Sequence, residues 1–152
     1  MTLDLWLHNG WLTQHETTPA EISELLAVAD RNLIDASIDA LSADAKMGLA
    51  HAASISVASA ALAAAGYRAG RERYHERLID SLGHTVGADM KTIKRLHQQR
   101  STRNTMTYER IGMVTEEEAH SALENARQLV ARVREWLGKE YPALVLKQEP
   151  ND

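Results

Sequence analysis

Five side chains between residues 97 and 108 have the chemistry to hold a phosphate: His97, Arg100, Arg103, Asn104 and Tyr108. A guanidinium is a planar fork that matches two phosphate oxygens at once. The Asn104 amide can donate to a phosphate oxygen or orient a neighbour. The Tyr108 phenol can stack on a base or donate through its hydroxyl. His97 adds a group that titrates near neutrality. At about 100° per residue, Ile93, His97, Arg100, Asn104 and Tyr108 form one stripe, with Leu96, Arg103 and Thr107 beside it. The stripe begins apolar and becomes polar and cationic. A core helix would continue in leucine. A polar continuation implies either a hydrogen-bonded core network or a cleft.

These residues need a helix, and the rest of the chain supplies its setting. The 152 residues suit one domain with a core large enough to fold alone. No stretch alternates with period two, and the three prolines, at 19, 142 and 150, lie near segment ends. Thr18-Pro19-Ala20-Glu21 is a helix start, with an N-cap Thr, a first-turn Pro and a Glu three residues after the cap. Ile22, Leu25, Leu26, Ala29, Leu33, Ile34 and Leu41 then recur at helical spacing. Ser42 caps a second helix, over about 43–65, and Gly66 fits its C-terminal cap. A shorter, charged helix is expected over 71–82. A fourth covers about 88–109, broken by Gly112. Thr115-Glu-Glu-Glu118 is a second capping box and opens a last helix striped with Ala119, Ala122, Leu123, Ala126, Leu129, Val130, Val133 and Leu137. The expected fold is all-α, an antiparallel up-and-down bundle of about five helices spanning 1–152. Residues 1–17 form a head, a short helix or turn that folds Trp6 and Trp11 back onto the bundle, and 142–152 form a tail.

Composition narrows the function. The absence of cysteine excludes disulfides and cysteine-ligated zinc. The opening MTLDLWLHNGW has no basic cluster and does not read as a signal peptide, so the cytoplasm is the expected location. Residues 47–67 lack Asp, Glu, Lys and Arg and are long enough to span a bilayer. Nine alanines, three serines and His51 favour a buried helix instead. The formal net charge is −4, unevenly placed. Residues 16–44 hold seven carboxylates against Arg31. Residues 89–110 hold Lys91, Lys94, Arg95, Arg100, Arg103 and Arg110 against Asp89 and Glu109. The two regions either face each other and water, or the basic one is an anion site. No two of the seven histidines are three or four residues apart and no HExxH occurs, so no metal is expected; nor does any motif imply a cofactor. His51, inside the alanine-rich helix, reads as a satisfied core histidine.

Arg103-Asn104 and its surroundings resemble the HEPN superfamily, small all-α bundles that usually dimerise. Its signature is an Arg, often followed by Asn, then a His after four to six intervening residues. Arg103-Asn104 begins such a motif, and Thr105-Met106-Thr107 follows. The alanine-rich helix ending in Gly66-Tyr67-Arg68 is similar to bacterial members. So are Gly10-Trp11-Leu12, Leu41-Ser-Ala-Asp44, and Trp136-Leu137 ahead of Pro142. In active members the Arg and His line a cleft between protomers. There a ribose 2′-hydroxyl attacks the adjacent phosphate without a metal, His moves a proton and Arg stabilises charge. The resemblance implies a homodimer that binds RNA or a nucleotide, a weak or altered metal-independent ribonuclease in a toxin–antitoxin or defence setting, and it carries over Arg103 and Asn104; Arg100 and His97, on the same stripe, would add phosphate contacts. This chain departs from the signature at one place: Tyr108 stands where the motif has His. A phenol of pKa about 10 is a poor base near neutrality, so His97 and His120 are the nearest substitutes. Some HEPN toxins are silenced by a nucleotidyltransferase antitoxin that adds a nucleotide to a tyrosine beside the motif, which makes Tyr108 a candidate acceptor, although that tyrosine follows the His. The alternative is a helical dimerisation module that has lost ribonuclease chemistry.

Overall fold

The computed structural model describes residues 2–108 and 114–145, apart from the side chains of 104–108. The expected break at Gly112 and most of the tail lie outside that range. The architecture is an all-α bundle. In chain order it contains α1 (Leu3–His8), β1 (Leu12–Gln14), α2 (Pro19–Ala36), α3 (Ala43–Ala64), β2 (Tyr67–Ala69), α4 (Tyr74–Ser81), α5 (Met90–Tyr108), α6 (Glu116–Glu140) and a 3-10 turn at Pro142–Leu144.

The capping residues act as their chemistry requires. Thr18 and Ser42 accept from the N–H groups of Glu21 and Ala45 at 3.2 and 3.1 Å. Thr115 and Glu118 form the full reciprocal box at the start of α6. α3 is the axis of the molecule. It packs against α2 and α6 most extensively, and also against α4 and α5. Its alanines allow this: Ala53, Ala58, Ala60 and Ala61 are fully buried, so neighbouring helices approach closely. By length and composition α3 could cross a membrane, but 72% of its most apolar window is buried inside the bundle. Ser56, facing α2, donates to the Leu25 carbonyl at 2.7 Å rather than leaving a buried hydroxyl unpaired. On α6 every position of the expected stripe is buried. Leu137 is fully enclosed, so Leu137→Ala should cost about 3 kcal/mol, measurable as a lowered urea midpoint with an unchanged slope.

The structure corrects three expectations. α2 ends at Ala36 rather than near Leu41. The Ser37 hydroxyl bonds back to the Leu33 carbonyl at 2.8 Å, and the chain turns there, leaving Ile34 exposed. α4 begins at Tyr74 rather than 71, because Arg73 takes a left-handed φ of 55°. Two strands exist where none was expected. Gly66, at φ 100°, turns the chain out of α3. The next residues pair antiparallel with the head, Leu12 opposite Ala69 and Gln14 opposite Tyr67. The head does fold back: Trp6 is buried, with Trp11 and His84 edge-on at 5.9 and 5.2 Å and Arg77 over the Trp11 ring.

Candidate functional site

α5 is pinned by its apolar side and presents His97 and Arg100 to α4. Ile93 and Leu96 are buried. One turn on, His97 Nε2 lies 2.7 Å from Asp80 Oδ1 of α4. Another turn on, Arg100 Nη2 stands 3.7 Å from Glu76 Oε1. The other oxygen of Glu76 is held by Arg73, at 2.8 Å from Nε and 2.6 Å from Nη2. Arg73 and Arg100 thus share one carboxylate, which holds the Glu76 carboxyl below its usual range, mainly through Arg73. The Arg100 Nε is buried and has no hydrogen-bond partner among the described residues.

Beside these arginines stands a pair of histidines from two different helices. His51 Nε2 of α3 and His75 Nδ1 of α4 are 3.2 Å apart, with ring centroids at 5.2 Å and planes tilted by 54°. His51 is 5% exposed and His75 half-buried. Burial pushes the His51 imidazole down to about 4, and the charges of His75, then Arg103 and Arg100, push the same way. Burial and then the same two guanidiniums also lower His75. At neutral pH the site is therefore two neutral imidazoles in a cationic field. That field comes from Arg100 and Arg103, the two arginines singled out from sequence.

Arg100, Arg103 and His97 thus lie on the side of α5 facing α3 and α4, and the structure adds His51 and His75 to them. The side chains of Asn104 and Tyr108 lie outside the described residues; their helical positions continue the same stripe. His97 is tied to Asp80, eleven residues and about 16 Å of helical rise from Tyr108. His120 is not on this side at all. It lines a groove of about 970 Å³ between the opposite face of α5 and α6, together with Arg95, Gln98 and Thr102. Glu117, Glu118 and Glu124 rim that groove, which makes it a poor seat for a polyanion. Tyr67 and Arg68 also serve the scaffold. The Tyr67 hydroxyl donates to Asp4 at 2.5 Å, and Arg68 pairs with Glu21 at 3.3 Å.

Sequence reasoning missed His75 and read His51 only as a core group. Their only sequence signal is their residue type, because 24 positions and an intervening strand separate them. No group of three His, Asp or Glu side chains able to hold a metal occurs among the described residues. No protein-family model, no curated protein and no solved structure matches the chain.

Proposed function

We propose that the chain is a HEPN-like, dimeric RNA- or nucleotide-binding protein of a toxin–antitoxin or defence system. Its phosphate site is the junction of α5 with α3 and α4, and its chemistry is slow, metal-independent cleavage of RNA. One observation carries this reading: Arg100 and Arg103 project their charge onto a pair of neutral, mutually hydrogen-bonded histidines. A helix junction that needed only packing would place leucines there, as α6 does. Arg103 would hold a phosphate bidentately, Arg100 would add charge, Asn104 would orient the backbone, and Tyr108 would stack or donate. His97, fixed by Asp80, would mark the upper end of the α5 site. In the dimer two copies of α5 would face each other. Tyr108 would also be the acceptor if a nucleotidyltransferase partner silences the protein by nucleotide addition. The replacement of the motif His by Tyr108 favours a second reading, a dimerisation module without cleavage.

Two measurements separate these readings. Light scattering should give twice the mass of one chain. Mixed-sequence RNA incubated in chelator should be cut slowly, and Tyr108→His should raise the rate by tenfold or more. A monomer would contradict the dimeric reading. Cleavage by Tyr108→His alone would show an intact scaffold without its catalyst.

A further inference from the structure

We propose that His75, aligned by His51, is the proton-transfer group of the α5 phosphate site. This rests on the phosphate-site reading above and names the residue that does what Tyr108 does poorly. The geometry is specific about which atom acts. The bond to His51 Nε2 occupies His75 Nδ1, so Nε2 is the nitrogen of His75 left to exchange a proton with a ligand. His51 is enclosed within α3 and cannot itself reach a large substrate, whereas His75 is half-exposed near the start of α4.

Among the described residues, the groups facing His75 come from three helices. His51 comes from α3, Tyr74 and Glu76 flank it on α4, and Arg100 and Arg103 come from α5. Glu76 is engaged by Arg73 and Arg100. The hydrogen bond between two neutral imidazoles can be arranged in two ways. With the proton on His75 Nδ1, donated to His51, His75 Nε2 carries a lone pair and is a base. With the proton on His51 Nε2, donated to His75, His75 Nε2 carries the hydrogen and is a donor. Burial first, and then the repulsion of a further positive charge by the two guanidiniums, favours neutral His75. A bound phosphate offsets those guanidiniums and makes protonation of His75 easier. Substrate binding thus brings His75 towards the range where it can accept a proton.

The step balances without a metal or an oxidant. The ribose 2′-hydroxyl gives its proton to His75 Nε2 as the bond between its oxygen and phosphorus forms. The bond from phosphorus to the 5′-oxygen breaks, that oxygen takes a proton from water, and the imidazolium returns its own to solvent. The products are a 2′,3′-cyclic phosphate and a 5′-hydroxyl. His51 positions His75 and accepts from its Nδ1–H, which steadies the imidazolium while it exists.

The test uses the full chain, single-stranded RNA of mixed sequence and chelator throughout, with RNA affinity measured in parallel. His75→Gln should cut at least roughly a hundredfold more slowly while binding RNA within about twofold of the parent. Added imidazole should restore cleavage to His75→Ala, a rescue that a merely structural histidine would not show. Cleavage by His75→Gln within threefold of the parent would overturn the assignment and leave the phosphate site standing. RNA binding by the parent with no cleavage would do the same. Absence of RNA binding by the parent would overturn both.

Discussion

Replacing Arg100 and Arg103 together by alanine is expected to weaken binding of single-stranded RNA roughly a hundredfold at moderate salt. Each charge-assisted hydrogen bond to phosphate contributes about 1.5 to 3 kcal/mol, and tenfold in affinity is about 1.4 kcal/mol. The loss should be electrostatic in kind. Neutralising one phosphate of a single strand contributes about 0.7 to the slope of log affinity against log salt. The double variant should therefore bind with a slope shallower by about 1.4. Loss of Arg100 leaves Glu76 its two contacts to Arg73, and α5 keeps Ile93 and Leu96 in the core. Arg103→Lys separates charge from geometry: it keeps the slope and loses affinity, since an ammonium cannot fork across two oxygens. RNA binding and a salt slope unaffected by loss of both arginines would place RNA elsewhere.

Acidification should destabilise the fold well before its carboxylates titrate. His51 binds its proton only near pH 4 in the folded chain, against about 6.5 when unfolded. The unfolded state therefore takes up the proton first as pH falls. The His51 contribution to stability is fully present above about pH 6.5, declines through the interval, and is gone below about pH 4. A displacement of that size corresponds to about 3 kcal/mol, a large share of the stability of a domain of this length. His75, lowered in the same direction, adds to the same limb. Glu21 and Glu76, held low chiefly by His15 and Arg73, give up their contributions further down. Urea melts at pH 7.5, 6, 5 and 4 measure the effect, and His51→Gln should flatten the limb between 6.5 and 4. A parent chain equally stable at pH 7.5 and 5 would mean that His51 titrates normally and is not enclosed as described.

Local signals in the sequence were sufficient for the helices. Thr18-Pro19, Ser42 and the Thr115–Glu118 box each cap the helix that they announced, and Gly66 closes α3 with the positive φ that glycine permits. What depends on distant partners was not legible. β1 and β2 have three residues each, and each exists only because the other lies alongside. The end of α2 turns on one hydroxyl, that of Ser37, competing for a helix carbonyl. The candidate site divides the same way. Arg100, Arg103 and His97 share a face through helical periodicity alone. The His51–His75 pair arises from the packing of α3 on α4, and no spacing in a single sequence encodes that distance.

A phosphate-bearing ligand is expected where α5 meets α3 and α4. Titrating the isotopically labelled protein with a short single-stranded RNA, while following histidine ring and arginine side-chain resonances by NMR, tests that location most directly. The largest saturable shifts are expected at His51, His75, Arg100 and Arg103, with the His75 ring moving towards its protonated form. Shifts confined to Arg95, His120 and the groove between α5 and α6, with the two paired histidines unmoved, would contradict it.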